Sequence, residues 1–491
     1  MAAGSLGKTS AAAAFYVGAA QAFRIGMTLL STVIVSRILS PRDYGVIAMA
    51  APVTGFIMMF QDLGINQAVI QARTITPEQS NSFFWVNIAI SLLAALLMVA
   101  LSPLAAVFYH DSRAGNIIAA SAFTVIVTAS SLQHAALLNR HMRFKALSSI
   151  DMASAACTLV ATVAAALWLR SYWALWLGTA TGAATTAILT WSASHWRPSL
   201  KFSFRGIGAM LKFGSSLGGF NLMNFLSRNL DSVIIARARG SLEVGLYGNS
   251  YKLMMFPLQN ISAPLGRVML PVLSRFRDEP ERYRRAFLLA LRALMVAAMP
   301  LIAISAATSD QLVVFLLGEK WRAAGPIFFW LSLTGFLAPI GNATGWLFVT
   351  SGRGGAMFRW GLLSAIITIG GFLIGIRWGA YGVAASLFIG TLFRMPILYS
   401  YSTIGTSVKA SDLYSVMVAP MISAAITIVI SWLLSPHMTF VGLLTVLIPS
   451  AYILAVLAQG LSRDGRALLS AALDILKGIG WIQRRVSPGG Q

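Results

Sequence analysis

Seven charged side chains lie inside or beside long apolar stretches, and these residues are the best suited to bind a polar ligand. The cations are Arg24, Arg228, Lys252, Arg267 and Arg359, and the carboxylates are Asp62 and Asp231. An ionisable group among apolar neighbours at membrane depth is costly unless it faces water or an opposite charge, so each is a candidate functional residue. Arg292 and Arg394 lie in similar surroundings.

The excess of cations over carboxylates predicts an anionic ligand, because an Arg guanidinium presents a planar fork of donors that matches phosphate or carboxylate oxygens. Asp62 and Asp231 would then balance the site or bind a coupling ion, H⁺ or Na⁺, and no other cofactor is expected. Structural interpretations remain open. Arg24 would pair with Asp62, and Arg228 would pair with Asp231 three positions later on one helical face. Lys252 would extend its ammonium to the membrane surface.

The composition indicates that helices in a membrane position these residues. The chain has 491 residues, of which 57% are hydrophobic and 11% charged, with a mean hydropathy of +0.74. A soluble protein carries about 25% charged residues. Runs such as 89–100 lack the alternation that a membrane β-barrel requires. The sequence therefore predicts an all-α polytopic membrane protein with about 14 helices of about 20 residues each.

The formal net charge of +22 has a similar explanation. The basic residues are spread over short loops without a nucleic-acid-binding module, so no nucleic-acid partner is expected. They are denser in alternate loops, which by the positive-inside rule predicts that both termini are cytoplasmic. The single Cys157 and five scattered His residues show no metal-ligand spacing.

A helical hairpin recurs halfway along the chain. Residues 33–37 read VIVSR and residues 233–237 read VIIAR, and 43–45 (DYG) correspond to 243–245 (EVG). Pro41 predicts that one helix ends there and that the next begins near Tyr44; spans are also predicted at 212–236 and 245–270. Two six-helix blocks in the same orientation predict a parallel repeat about a pseudo-two-fold axis.

The predicted domains follow from this repeat. They are an N-terminal six-helix bundle at 1–200, a C-terminal six-helix bundle at 201–410, an appended helix pair at 411–462 and a basic amphipathic tail at 463–491. The tail is expected to lie on the inner membrane surface, in contact with membrane lipids.

Several segments resemble one known family. They are Ser36–Gly45, Gln61–Ile65, Ala68–Gln71, Phe83–Asn87, Leu138–Lys145, Tyr172–Leu175, Asn229–Asp231 and Gly245–Tyr247. Together they resemble the polysaccharide and O-antigen (Wzx-type) flippases of the multidrug/oligosaccharidyl-lipid/polysaccharide exporter superfamily, in particular the colanic acid and succinoglycan exporters. The resemblance covers about residues 10 to 410 and is most specific in the N-terminal block.

The resemblance implies a flippase, and not an enzyme, in the bacterial inner membrane. Such a protein moves undecaprenyl-pyrophosphate-linked oligosaccharide repeat units by alternating access through a cationic central cavity, for exopolysaccharide or O-antigen assembly. The expected partners are a polysaccharide polymerase and a chain-length regulator. The alternatives are a multidrug exporter of the same superfamily and a peptidoglycan-precursor lipid flippase.

Overall fold

The computed structural model describes residues 2–61, 75–200, 207–460 and 465–466, and these residues are helical without β-strands. The helices are α1 Ala2–Ile38, α2 Pro41–Gln61, α3 Pro77–Tyr109, α4 Ser112–Arg140, α5 Phe144–Leu169, α6 Trp173–Ala193, α7 Ile207–Arg275, α8 Pro280–Ala307, α9 Ser309–Leu317, α10 Gly325–Thr350, α11 Gly354–Gly375, α12 Gly379–Thr403, α13 Ala410–Leu434 and α14 Phe440–Gly460. Two 3₁₀ helices are Glu319–Ala324 and Ile376–Trp378. The predicted all-α class is confirmed.

Nine stretches of the described chain are long and apolar enough to cross a membrane, from Tyr16–Ile38 to Phe440–Gly460. The protein is therefore a multi-pass membrane protein. The predicted count of about 14 crossings stays a prediction, because α2, α6 and α7 are not among these nine stretches.

Helix α7 consists of two arms, 207–239 and 241–275, separated by a single residue. Gly240 has φ 78° and ψ −171°, in a region that favours glycine. The two spans predicted at 212–236 and 245–270 correspond to these arms, and one glycine makes the turn between them. The start of α2 lies three residues before the predicted one near Tyr44. The helix begins at Pro41, since proline suits the first helical position, where its missing N–H is not needed.

The described chain packs into two compact units. The first comprises residues up to Gly248 together with Leu316–Trp321, and the second comprises Asn249–Phe315 and the chain from Arg322 onward. These units are defined by packing and not by the internal repeat. The domain boundaries predicted at 200, 410 and 462 therefore stay predictions. Of the tail, only residues 465–466 lie within the described chain.

Backbone turns recur along the chain in the order that a repeat requires. Left-handed conformations occur at His110, Met142 and Arg170, and again at Gly318, Gly352 and Gly379. Each later residue follows its counterpart by a little over two hundred positions and occupies the same place between helices. A residue with positive φ therefore recurs in the connections before the fourth, fifth and sixth helices of each half.

Two arginines make equivalent contacts in the two halves. Arg143 precedes α5 and donates through Nη1 to the carbonyl oxygen of Ala193, the last residue of α6, at 2.8 Å. Arg353 precedes α11 and donates to the carbonyls of Tyr401 and Ser402, near the end of α12, at 2.9 and 3.1 Å. A cation at a helix C-terminus satisfies carbonyls that lack a helical partner and complements the helix dipole.

The second unit is built around α8. Its buried residues Phe287, Leu291 and Met295 belong to one hydrophobic cluster with residues of α10, α12 and α13. An ion pair of 2.6 Å joins Arg284 of α8 to Asp412 at the start of α13. These contacts attach the C-terminal helix pair to the helices before it.

Candidate functional site

The first repeated hairpin consists of α1 and α2, and the second consists of the two arms of α7. The two hairpins meet in a reciprocal backbone contact. A Cβ atom on Gly45 would overlap the carbonyl oxygen of Ser241, and a Cβ atom on Gly245 would overlap the carbonyl oxygen of Pro41. In the predicted alignment of the repeat, Pro41 corresponds to Ser241 and Gly45 to Gly245. The contact is therefore isologous, since each hairpin presents the same surface to the other. We call Pro41, Gly45, Ser241 and Gly245 the hairpin clasp.

The position of the repeat axis follows from one more pair. A Cβ atom on Gly248 would lie 3.8 Å from the Cβ atom of Ala48, which is its equivalent in the repeat. Equivalent residues can face each other only close to the symmetry axis. The pseudo-two-fold axis of the hairpins therefore passes near Ala48 and Gly248, one helical turn from the clasp.

Asp43 organises the first hairpin turn. Its Oδ2 accepts hydrogen bonds from the backbone N of Ser40 at 3.0 Å and from Ser40 Oγ at 2.6 Å. Its Oδ1 accepts one from the backbone N of Tyr172 at 3.1 Å, just before α6. One carboxylate thus closes the turn into α2 and fixes that turn to the end of another helical hairpin.

The start of the 3₁₀ helix Glu319–Ala324, in the second half of the chain, packs against the first hairpin. Trp321 is fully buried, and its Nε1 donates to the carbonyl oxygen of Ser36 at 2.9 Å. Its ring meets the Tyr44 ring edge-on, with 5.2 Å between centroids. Lys320 Nζ donates to the carbonyl of Ile38 at 3.1 Å, at the C-terminus of α1, where a cation complements the helix dipole.

The junction of α3 and α4, in the first half of the chain, contacts the second hairpin in the corresponding way. Arg113 donates through Nη2 to Ser241 Oγ at 3.2 Å, and it is held by Asp111 through two hydrogen bonds of 2.9 and 2.7 Å. The guanidinium of Arg237 lies over the Phe108 ring, 5.7 Å from its centroid. The hydrogen bond from the Arg113 side chain lowers the pKa of the Asp111 carboxyl, so this anchor is ionised at neutral pH.

The structure describes the side chains of five of the seven predicted site residues. Asp62 lies outside the described residues, and Arg228 lies in the first arm of α7 with its side chain outside the described part. Arg24 is exposed on α1 and donates to Gln21 Oε1 at 2.8 Å. It is close enough to Asp151 of α5 for their charges to interact.

Asp231 is buried, and its described partners lie within α7. Its Oδ2 accepts a hydrogen bond from the Tyr247 hydroxyl at 2.8 Å, and its Oδ1 accepts one from the backbone N of Ser232 at 2.6 Å. The carboxylate therefore joins the two arms of α7 across Gly240. This contact gives Asp231 a structural role beside the functional one that was predicted.

The remaining three cations are exposed side chains of the second unit. Lys252 and Arg267 lie on the second arm of α7, and Arg359 lies in the second turn of α11. Within the described chain they have neither a hydrogen bond nor an ion pair. Lys252 and Arg267 are fifteen residues apart, which places them about 60° apart around a helix and about 22 Å apart along it. Both can therefore contact ligands on one side of this helix.

The family of the protein follows from a comparison with known proteins. Residues 34–326, which include the clasp, match the family described as polysaccharide biosynthesis protein. The chain belongs to this family.

Individual relatives of this family member extend the match. It is 23% identical over 379 residues to the lipopolysaccharide biosynthesis protein WzxC of Escherichia coli (strain K12), covering 76% of this chain and 77% of WzxC. It is 25% identical over 384 residues to the succinoglycan biosynthesis transport protein ExoT of Rhizobium meliloti (strain 1021), covering 78% and 76%. The lipid II flippase MurJ in an inward closed conformation has the same fold, with a TM-score of 0.70 and 11% identity over 90% of this chain and 98% of MurJ.

Arg394 and Arg292 resemble the site residues in their sequence surroundings. In the structure both arginines donate hydrogen bonds to other residues of the chain. Arg394 donates through Nη1 to the carbonyl oxygen and Oγ of Ser364 at 2.9 and 2.8 Å, and also to Thr368 Oγ1. Arg292 is buried and donates to Gln459 Oε1 at 3.0 Å. These hydrogen bonds join helices.

Sequence reasoning missed two charged or polar groups in the first unit of this family member. Asp151 was overlooked although it is an acidic residue near the start of an apolar helix, which is the signal that singled out Asp62. His134 is fully buried, with its ring 4.4 Å from that of Trp191 and 5.1 Å from that of Trp196, between centroids. Only the tertiary fold brings these three rings together, so no sequence signal indicated the cluster.

Proposed function

We propose that this protein is a flippase that moves undecaprenyl-pyrophosphate-linked oligosaccharide repeat units across the bacterial inner membrane for exopolysaccharide or O-antigen assembly. The observation that carries the proposal is the hairpin clasp, because an isologous contact between two equivalent hairpins closes a pathway at one membrane face and can separate symmetrically. The names of WzxC and ExoT, which refer to polysaccharide biosynthesis and transport, support this class of substrate.

The strength of the clasp suits a reversible closure. The clasp consists of the glycine contacts, and single hydrogen bonds such as Trp321 to Ser36, Lys320 to Ile38 and Arg113 to Ser241 hold each hairpin to a neighbouring segment. The neutral bond from Trp321 contributes a net stabilisation of about 1 kcal/mol, and each bond from a charged donor contributes about 1.5–3 kcal/mol. The total of a few kcal/mol matches the usual free-energy difference between two conformations that a ligand can interconvert. Substrate binding can therefore open the clasp by alternating access.

The cations are proposed to bind the pyrophosphate or acidic sugars of the substrate. Lys252, Arg267 and Arg359 are exposed, and Arg24 and Arg228 are assigned to the same role. Asp62 and Asp231 are proposed to bind the coupling ion, H⁺ or Na⁺. At Asp231 the ion would bind either beside the Tyr247 hydroxyl or in its place.

The orientation follows from the basic loops. With both termini cytoplasmic, the turns at 40–41 and at 240 lie on the periplasmic side, so that the clasp closes the periplasmic end. The substrate would then enter from the cytoplasmic leaflet, where its sugars are assembled. A polysaccharide polymerase and a chain-length regulator are the proposed partners on the periplasmic side.

Two other functions are compatible with this fold. A multidrug exporter for organic cations is disfavoured, because three exposed cations of the second unit would repel such a substrate. A peptidoglycan-precursor lipid flippase is favoured by the MurJ-like fold alone. It differs from our proposal in the sugar and not in the pyrophosphate carrier.

Complementation of polymer export in a flippase-deleted strain tests the proposal. Wild type is expected to restore surface polysaccharide. Lys252→Gln, Arg267→Gln and Arg359→Gln should each reduce export about tenfold or more at matched protein levels, since a charge-assisted contact is worth about 1.5–3 kcal/mol. Arg285→Gln, an exposed cation on α8, is the matched control.

The outcomes separate the alternatives. If all three variants export as well as Arg285→Gln, these cations do not contact the substrate. If wild type restores no polymer and instead confers resistance to cationic drugs, the protein is a multidrug exporter. If it restores only peptidoglycan-precursor transport, the assignment of the sugar is wrong.

A further inference from the structure

A deep apolar groove lies beside the hairpin clasp within the first unit. It has a volume of about 400 Å³ and is formed by α2, α3 and the first arm of α7. Its walls include Pro52 and Phe56 of α2, Leu101 and Leu104 of α3, and Val233 of α7. Leu104 is 64% exposed, so the groove opens sideways, where a membrane protein meets lipid chains.

The α7 wall of the groove leads to a cation. Phe225, Asn229 and Val233 line the groove at intervals of four residues, and Arg237 is the next residue in that series. Residues four apart lie on one face of a helix. Arg237 is exposed, and its guanidinium lies over Phe108, which is itself a groove residue. The rim of an otherwise apolar groove thus carries one positive charge.

The other end of the groove is narrow. The Phe225 ring packs against α2 at Gly55, where a Cβ atom would lie 2.8 Å from the ring. Asn229 uses its amide N–H on the carbonyl of Phe225, at 2.8 Å. Within the described residues, the groove therefore narrows at Phe225 and Gly55, and it has an open side and a cationic rim near Gly240 and the clasp.

We propose that this groove binds the part of the single isoprenoid chain of the lipid carrier nearest the head group, with a phosphate of the carrier on Arg237. The inference rests on the proposed function and names the place where the carrier is held at the clasp end of the protein. One groove with one cation at its rim is complementary to one chain with one phosphate head group. A bilayer phospholipid has two acyl chains, so it competes with the carrier in the test below.

The placement has a consequence for transport. The oligosaccharide and its phosphates must pass the clasp, while the hydrophobic chain stays in the membrane throughout because transferring it to water is costly. A chain bound between α2 and the first arm of α7 touches one arm of each hairpin that forms the clasp. Carrier binding in the groove and clasp opening therefore act on the same two helices.

Binding of undecaprenyl phosphate to the purified full-length protein in phosphatidylcholine nanodiscs tests the inference. Leu104→Trp fills the groove from an exposed position, and Val99→Trp is the matched control, five residues away on the same helix and about 140° around it. Leu104→Trp is expected to weaken binding about tenfold, whereas Val99→Trp should bind as wild type does. Arg237→Gln should weaken undecaprenyl phosphate binding but leave uncharged undecaprenol binding unchanged.

Two results would overturn the inference. One is equal binding by Leu104→Trp and Val99→Trp, with Leu101→Trp repeating the result from a deeper position. The other is displacement of undecaprenyl phosphate by an equal amount of phosphatidylglycerol, which would make the groove a bilayer-lipid site. Measuring translocation in the same preparations separates this inference from the proposed function. If wild type binds the carrier but does not flip it, only the proposed function is contradicted. If Leu104→Trp binds and flips the carrier normally, only the groove inference is contradicted.

Discussion

The two clasp glycines are the residues on which closure depends most directly. Gly45 and Gly245 allow two helices to touch through their backbones, and close helix packing of this kind needs small residues in membranes. Both positions could be singled out from the sequence as parts of a repeated hairpin. The packing of each glycine on the other hairpin could not be predicted, because the sequence shows the repeat but not which surfaces pack together.

Gly45→Ala and Gly245→Ala should each prevent the clasp from closing, since the added methyl group overlaps backbone atoms that cannot move aside. The expected result is at least a tenfold loss of polymer export at normal protein levels. Gly248→Ala is the control, because its methyl group would make an ordinary contact of 3.8 Å with Ala48. Export by both clasp variants at the level of Gly248→Ala would show that the glycine contacts do not gate transport.

The Asp111 anchor makes a prediction about pH. Because its pKa in the folded protein is lowered, its stabilising contact with Arg113 is fully present above the ordinary Asp pKa. The contact is lost only as the pH falls through the lowered value. Transport in proteoliposomes should therefore lose nothing through this pair between pH 7.5 and 5. Asp111→Asn should reduce it at both values, and a decline on acidification that Asp111→Asn abolishes would contradict this.

At the scale of helices, hydropathy located the membrane segments but not the turns between them. Apolar length is a property of composition, whereas Gly240 and Pro41 act through backbone geometry at single positions. The charges at helix ends were predicted as topology signals. Arg143 and Arg353 also cap α6 and α12, a role that depends on which helix end lies nearby in the fold.

Removing either cap should destabilise the protein to a similar extent. Arg143→Ala and Arg353→Ala are each expected to cost about 1.5–3 kcal/mol, because carbonyls at a helix end lose a charged donor. The apparent unfolding temperature in detergent measures the effect. Arg353→Lys should recover only part of it, since an ammonium cannot reproduce the guanidinium fork. The control is Arg285→Ala, and cap variants as stable as that control would show that these bonds contribute nothing.

At the scale of the whole chain, the repeat was the most informative feature of the sequence. It predicted a transporter-like architecture before any contact was known, and the family match and the MurJ-like fold agree with it. The ligand site was less predictable. Charged residues at membrane depth include structural groups such as Arg394 and binding candidates such as Lys252, and only the surrounding hydrogen bonds distinguish the two kinds.

The most direct test of the central claim is translocation of a fluorescent undecaprenyl-pyrophosphate-linked oligosaccharide by the purified protein in proteoliposomes. Wild type and Gly248→Ala should move the lipid between leaflets, and the Gly45→Ala/Gly245→Ala double variant should not. If wild type leaves the lipid in its original leaflet, with an imposed H⁺ or Na⁺ gradient in either direction, the protein is not a flippase for this class of substrate.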